Sequence, residues 1–398
     1  MRFSIFSFFN SVLLALSLLV GCISFVGCSE SNDGGVAVIE IGKALDGSCE
    51  FANMSDYFSE IEYIPLQTDT SSMVGNIMSF DIYEDKFVIV DREQKRCMLF
   101  DNNGTFIKYI GDIGNGKGEY NNVFNISVNG INGEIGVNDF KKMVVYDGDG
   151  NFIKSFDYTN LIAGRNLFIT EVEMYGDYFI FNGAHYFNGR PYSIFARENM
   201  DIVYIDSLKM FSDEVETEPR TGLPKKYNVH SYLYNGEMYN VNGKLDTIYS
   251  YNENLEKSAR YILDYGKYSG GKEVYINGRM VFEADGAIVF AVYTKANHFS
   301  FMPTDGNKMC YLVYNKQSGE IKFLPFDESI KKYGFINDID GSGMSFLPSA
   351  AKGNAMYQFV DAYRFIECAE RSTSAKMKEV AATLTEESNP VLIKAKLK

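Results

Sequence analysis

Apolar and polar positions alternate in short runs along this chain, and one such pattern occurs twice without a gap. The first copy reads Cys97-Met98-Leu99-Phe100-Asp101-Asn102-Asn103-Gly104-Thr105-Phe106-Ile107-Lys108 and the second Met143-Val144-Val145-Tyr146-Asp147-Gly148-Asp149-Gly150-Asn151-Phe152-Ile153-Lys154, 46 residues later. Each copy is an apolar run, a tight turn and a second strand opening on Phe-Ile-Lys. Runs of this length bounded by Asp, Asn and Gly read as strands joined by a hairpin. A strand-rich repeat of roughly 40–50 residues without helical periodicity is the pattern of propeller blades.

The aromatic that ends each apolar run before its turn can be followed further, through Phe100, Tyr146, Phe195, Tyr251 and Tyr314, at gaps of 46, 49, 56 and 63 residues. The third unit pairs Tyr178-Phe179-Ile180-Phe181 with Tyr192-Ser193-Ile194-Phe195. The fourth runs through Met238-Tyr239-Asn240-Val241 and Thr247-Ile248-Tyr249-Ser250-Tyr251. The fifth pairs Ile288 to Val292 with Cys310 to Tyr314 and adds Glu320 to Phe323. A sixth unit has to be assembled from Ala355 to Val360, a final strand Val391 to Leu397, and Ile61 to Leu66 near the start, whose Pro65 suits an edge. Between the first two, Asp361 to Leu384 turns helical, with Tyr363, Ile366, Met377, Val380, Ala381 and Leu384 at three- and four-residue steps. The expected fold is all-β: a six-bladed propeller with a C-terminal helical insertion, its last blade closed by strands from near both termini.

The first residues read differently. Arg2 is followed by a mostly apolar stretch from Ile5 to Val26 that ends in two small-residue-Cys steps, at Cys22 and Cys28. Both resemble the bacterial lipobox, in which the Cys is lipidated after cleavage. The polar, flexible Ser29 to Gly35 makes Cys28 the favoured site and Cys22 the alternative. The division is a signal peptide over 1–27, a tether and lead-in over 28–60, and the propeller over 61–398. Cys49, Cys97, Cys310 and Cys368 form no C-x-x-C pair, and their spacing leaves any pairing open. Cys97 and Cys310 sit in apolar runs and read as buried thiols. The net charge of −14 repels a phosphate backbone and argues against a nucleic-acid partner.

Gly111-Asp112-Ile113-Gly114-Asn115-Gly116-Lys117-Gly118-Glu119-Tyr120-Asn121-Asn122-Val123 resembles the glycine-rich inter-blade connection of NHL-repeat propellers. Phe87 to Asp91, taken with the hairpin from Asp101 to Gly104, resembles the rest of such a repeat. With Ile64-Pro65-Leu66, Asn337-Asp338-Ile339-Asp340-Gly341 and Asn389-Pro390-Val391-Leu392, the chain resembles the exported six-bladed propeller lipoproteins of gut Bacteroidetes. That resemblance implies an address in the cell envelope, lipid-anchored to the outer membrane, with Glu30 and Asp33 matching a signal for display at the cell surface. It implies no reaction.

Other motifs resolve into structure. The glycines 111, 114, 116 and 118 lack the following helix and the Gly-Lys-Ser/Thr ending of a phosphate loop. Asp147 to Asn151 offers oxygens at alternate positions, but Phe152 and Tyr158 stand where a calcium loop needs Gly and Glu. His185, His230 and His298 are too scattered for a zinc site to be read from spacing, and no cofactor or metal is assigned. The inter-strand loops holding Arg92, Lys141, His185 and His298 occupy corresponding positions in four repeats, so a closed ring is expected to gather them on one face, with Asp338 and Asp340 adding carboxylates near a channel mouth. The function expected is non-catalytic binding of a peptide, glycan or protein partner at that face. A metal-assisted propeller hydrolase or lactonase, and a structural subunit of an outer-membrane complex, stay open as alternatives. Carboxylates and His converging in a central pocket would mark an enzyme, and aromatic and charged residues across an open face a binding module.

Overall fold

The computed structural model describes residues 35–47, 50–140, 142–208, 217, 221–224, 229–243, 245–268, 270, 273–294, 309–327 and 332–398. Cys22, Cys28, Cys49, Lys141 and His298 lie outside them.

Among the described residues, strands cluster into six sheets of four or five strands, the blades of a propeller. From the channel outward, blade 1 is Ile77–Tyr83, Lys86–Asp91, Arg96–Asp101 and Phe106–Ile110. Blade 2 is Asn125–Val128, Ile135–Asp139, Lys142–Tyr146 and Phe152–Asp157. Blade 3 is Leu167–Tyr175, Tyr178–His185, Pro191–Arg197 and Ile202–Ser207. Blade 4 is His230–Tyr234, Glu237–Val241, Thr247–Tyr251 and Lys257–Leu263. Blade 5 is Val274–Glu283, Ala287–Thr294, Met309–Asn315 and Ile321–Leu324. The five anchor aromatics all fall in third strands and are all buried.

The middle strands are apolar on both faces because each blade is packed between two others. Phe87 to Val90 and Cys97 to Phe100 are each buried throughout. Val88, Val90 and Leu99 of blade 1 meet Ile126, Val137 and Val144 of blade 2 in one such layer.

The repeated Asp explains the repeated turn. Asp101 Oδ1 accepts the backbone N–H groups of Asn103 and Thr105, and Asp147 Oδ1 those of Asp149 and Asn151. The carboxylate that resembled a calcium ligand is therefore occupied by its own hairpin. Gly104, at φ +82°, also lies where a Cβ would come within 2.2 Å of the Pro65 carbonyl oxygen, so the hairpin of blade 1 abuts the closing strand of blade 6. The glycine-rich connection is a packed loop. Tyr120 is fully buried in it, donating to the Ile110 carbonyl and accepting from the Cys97 N–H. Glu119 Oε2 takes the Gly116 N–H, putting a carboxylate where a phosphate loop would hold its anion. Burial pushes the Cys97 thiol up to about 12, so this cysteine is chemically quiet.

Blade 6 closes the ring. Its order from the channel outward is Ala350–Lys352, Ala355–Val360, Val391–Leu397 and Phe58–Pro65. The first three strands come from the C-terminal end and the outermost from the N-terminal end. Registers from Phe58↔Leu397 to Pro65↔Val391 sew them together, and Pro65 sits at the sheet edge, where a missing N–H costs nothing.

The lead-in is more ordered than its sequence suggested. Ala37–Ile39 pairs in parallel with the outer strand of blade 4, as its fifth strand. Beyond the short helix Ile41–Asp46, the Ala52 N–H reaches the Phe323 carbonyl in blade 5 and the Met54 N–H the Ile336 carbonyl. Phe58 then packs edge-on against Phe335 and Phe346. Residues 37–47 and 50–57 thus strap the outer edges of blades 4 and 5 and lead into the closing strand.

The helical insertion is two helices, Ala362–Arg371 and Ala375–Ala381, set between the second and third strands of blade 6. Its buried stripe differs from the expected one. Ala362, Phe365, Cys368 and Ala369 face inward, while Tyr363 is 50% exposed. The chain is extended at Ser372 and Ser374, and Ser374 caps the second helix by accepting the Met377 N–H. The break resets the helical phase, so Met377 cannot predict the inward face of the first helix.

Candidate functional site

Inner strands present a difficulty in any propeller: their outward edges face the channel rather than another strand of the same sheet, and unpaired N–H groups there must find partners. Here side chains of one inner strand serve the backbone of the next. Asp81 in blade 1 accepts the Val128 N–H of blade 2. In blade 2, Asn125, Ser127 and Asn129 accept the N–H groups of Val172, Met174 and Gly176 in or just beyond the inner strand of blade 3. In blade 3, Glu171 accepts the Ser231 N–H of blade 4 at 2.9 Å. The polar residues that interrupt these apolar strands are therefore the stitching between blades.

Blades 3 and 4 are also locked by a closed ring of four hydrogen bonds. Asn182 Nδ2 donates to Ser231 Oγ, Ser231 Oγ to Asn240 Oδ1, Asn240 Nδ2 to Ser193 Oγ, and Ser193 Oγ back to Asn182 Oδ1, over 2.6 to 2.9 Å. Each amide and hydroxyl donates once and accepts once within it, so a polar cluster with three fully buried members carries no unsatisfied partner there. The ring fixes Ser231 and, next to it, His230.

The channel opens into a cavity of about 1130 Å³ lined by all of blades 1, 2, 3, 5 and 6. Its wall holds Glu171 and Glu173 of blade 3, Asn125 of blade 2, Arg92 of blade 1, Arg279 of blade 5 and Arg364 of the helical insertion, together with Met78, Phe80, Met280 and Phe359. His230 Nδ1 lies 2.5 Å from Glu171 Oε2. Arg279 Nε donates to His230 Nε2 at 3.1 Å. This bond makes Nε2 an acceptor, which assigns the imidazole proton to Nδ1, facing the carboxylate. A line of contacts through His230 thus joins the buried acid Glu171 to the exposed guanidinium of Arg279.

Arg279 owes its position to a bulge. The inner strand of blade 5 leaves register between Ile276 and Val281, so the intervening residues swing out of the ladder. Gly278 in this bulge approaches His230 so closely that a Cβ would sit 3.1 Å from the imidazole and equally near the Val241 carbonyl oxygen.

Glu173 stands beside this line and accepts from Asn125 Nδ2 at 3.3 Å. Burial, and then the charge of Glu171, pushes its carboxyl well above the usual carboxylate range and favours its protonated form. Burial likewise raises Asp81, against the N–H groups of Ile82 and Val128 that stabilise its anion. No three His, Cys, Asp or Glu side chains among the described residues are grouped to hold a metal.

Of the residues singled out from sequence, Arg92 lines the cavity. It leaves the second strand of blade 1 at the connection to the third, and His185 and the helical insertion occupy the corresponding connections of blades 3 and 6. His185 is not in the cavity wall. It lies beside Phe187, and its enclosed Nδ1 has no hydrogen-bond partner among the described residues. Asp338 and Asp340 are not in the wall either. Asp338 accepts the N–H and hydroxyl of Ser55 and so pins the strap. Asp340 is buried, accepting from Tyr63 Oη and the Ser342 N–H. Both carboxylates are used to hold the chain leading into the closing strand. Glu171, Glu173 and Arg279 entered the site unannounced, and His230 only as one of three scattered histidines. The signal that could have found the acids is the alternation Glu171-Val172-Glu173-Met174, polar toward the channel and apolar into the blade.

Among curated proteins none matches this sequence. The fold has a solved counterpart. A protein of Bacteroides fragilis NCTC 9343 described as exported superposes with a TM-score of 0.65 at 17% identity, covering 91% of this chain and 100% of that one. A member of the DUF4221 family from Bacteroides vulgatus gives 0.48 at 10% identity, over 86% and 97% of the two chains. Over residues 36–396 the sequence itself matches the family described as Domain of unknown function (DUF4934), and the chain belongs to that family.

Proposed function

We propose that this protein is an exported, lipid-anchored propeller of NHL-like repeats that binds a peptide, glycan or protein partner at the mouth of its channel without transforming it. The observation that carries the reading is the composition of the mouth. In a chain of net charge −14, the cavity wall brings together Arg92, Arg279 and Arg364 with exposed aromatic rings, Phe124 at 53% and Tyr363 at 50%. Large exposed rings beside cations, over a preformed cavity, are the usual makings of a recognition surface.

The convergence of Glu171, Glu173 and His230 favours the hydrolytic alternative. Against it, Arg279 occupies the His230 lone pair that a metal or a general base would use. A thermal-shift screen of the full chain against peptide and glycan pools tests the binding reading. One class is expected to raise the melting temperature without being consumed, and Phe124→Ala with Tyr363→Ala to abolish the shift while leaving the unliganded melting point in place. Turnover of any pool component would favour the enzyme, and no shift with any pool would remove the reading.

The anchor is proposed at Cys28, with Cys22 the alternative, on the outer membrane and displayed at the cell surface. The polar Ser29 to Gly35 stretch and the exported description of the Bacteroides fragilis protein support it. Mass spectrometry of the mature N-terminal peptide is expected to find diacylglycerol and acyl groups on Cys28 and none after Cys28→Ser. Lipid on Cys22 would move the site, and a cleaved peptide without lipid would reject the anchor.

A further inference from the structure

Two guanidinium groups in the cavity wall have no acid set against them. The Arg92 side chain makes no hydrogen bond or ion pair with a described residue, and Arg279 uses only Nε, leaving both Nη groups without a partner among the described residues. The wall also holds Asp361, at the start of the helical insertion, which makes no ion pair with either arginine. Glu171 takes the Ser231 N–H on one oxygen and faces His230 with the other. The third arginine, Arg364, is shared with Glu367 at 3.3 Å. From this arrangement we propose that Arg279 and Arg92 form a carboxylate subsite, and that the ligand of the channel is a peptide ending in an apolar residue with a free C-terminal carboxylate. The proposal rests on the binding reading above and gives it a ligand class.

The geometry supports each half of that ligand. A guanidinium held by its Nε presents its two terminal nitrogens as a fork that matches the two oxygens of a carboxylate. His230, backed by Glu171, fixes the fork in advance, so less side-chain freedom is lost when the ligand arrives. Glu173, favoured in its protonated form by burial and by Glu171, adds little repulsion to an incoming anion. The same wall holds Met78, Phe80, Met280, Met309 and Phe359. Such a surface accepts a hydrocarbon or aromatic side chain and adapts to its shape. The ring hydroxyls of a sugar would be desolvated against it without partners.

The test uses the full chain and a short acetylated peptide ending in Leu-Phe, prepared as the free acid and as the C-terminal amide, with an oligogalacturonate as the acidic glycan. Titration calorimetry is expected to show the acid binding at least about tenfold more tightly than the amide, as a charge-assisted pair provides. Arg279→Gln should erase most of that preference, weakening the acid far more than the amide. His230→Leu should reduce the preference by a smaller factor, an effect that a merely structural role would not confine to the acid. Equal binding of acid and amide, or a preference that survives Arg279→Gln combined with Arg92→Gln, overturns the carboxylate subsite while the binding module stands. Binding of the oligogalacturonate alone overturns the peptide. If neither peptide binds although a pool component shifts the melting point, the ligand class is wrong and the module is not.

Discussion

Removing residues 390–398 is expected to leave no cooperatively folded propeller. Val391–Leu397 is the third strand of blade 6 and lies between two others, pairing with Ala355–Val360 on one side and Phe58–Pro65 on the other. Its Val391, Leu392, Ile393 and Ala395 are essentially without exposure. Burial of a Val, Leu or Ile side chain contributes about 1.5–3 kcal/mol, so three of them alone amount to much of a domain stability of about 5–15 kcal/mol. The deletion also strips Phe58–Pro65 of its only strand partner among the described residues, and with it the strap that runs back over blades 5 and 4. Circular dichroism melts should lose their sigmoidal transition. Because a truncation of this size can fail for trivial reasons, Ile393→Ala supplies a graded version, at a cost of about 2–5 kcal/mol. Its hydrogen exchange should quicken in blades 1 and 5 as well as in blade 6, since ring closure makes them cooperative. A truncated chain with an unchanged melting temperature, or exchange confined to blade 6, would mean that the blades hold together without the closure.

This closure was readable from the sequence because each of its parts carries a local signal. Val391 to Leu397 is an apolar run after Asn389-Pro390, and Pro65 marks an edge. The blade repeat was readable for a similar reason: the buried third strand, the Asp that closes the hairpin and the Gly that permits it lie within twelve consecutive residues. The strap was not readable. Ala37–Ile39 is three residues long and takes its strand conformation from the outer edge of blade 4, a context that no window of sequence contains. The insertion was found as helical, but its inward face was misassigned on the first helix, because the periodicity was carried across a break at Ser372 to Ser374.

The site was hidden for a further reason. Glu171 and Glu173, His230 and Arg279 come from the inner strands of three successive blades, one or two residues each, about fifty residues apart. Nothing local ties them. Arg279 reaches His230 only because of a bulge, and a bulge leaves no periodic trace. What the sequence did contain was polar residues at alternate positions of inner strands, Asn125 and Ser127, Glu171 and Glu173. In a closed ring these have to face the channel or the next blade. Asp338 and Asp340 looked like channel carboxylates for want of that rule. They lie in an irregular segment, where an Asp more often holds a turn or a neighbouring strand, as both do here.

The second large effect is expected at Glu283, the last residue of the inner strand of blade 5. Its side chain is fully buried and accepts from Tyr232 Oη at 2.6 Å, Tyr261 Oη at 2.5 Å and Lys316 Nζ at 2.5 Å. Tyr232 and Tyr261 belong to the inner and outer strands of blade 4, so a single carboxylate joins two blades. Lys316, itself only 16% exposed, also lies over the Tyr234 ring at 3.8 Å. Glu283→Leu would leave an enclosed ammonium and two enclosed hydroxyls without their acceptor. Breaking such a pair on one side costs about 3–5 kcal/mol, much more than the pair contributes when intact, because the desolvation already suffered by the surviving charge is no longer offset. Glu283→Gln keeps an acceptor and should cost less. The diagnostic variant is Glu283→Leu with Lys316→Met, which removes both charges and should recover most of the loss, leaving the cost of the two tyrosine hydroxyls. Denaturant melts of the parent, Glu283→Leu, Lys316→Met and the double variant form the cycle. If the double variant is as unstable as the sum of the two single ones, Lys316 and Glu283 act independently and the junction of blades 4 and 5 is held by its apolar layer, Val281, Ile288 and Phe290 against Tyr239 and Val241. If Glu283→Leu alone stays within about 1 kcal/mol of the parent, the carboxylate is dispensable and water or a shifted side chain satisfies its three donors.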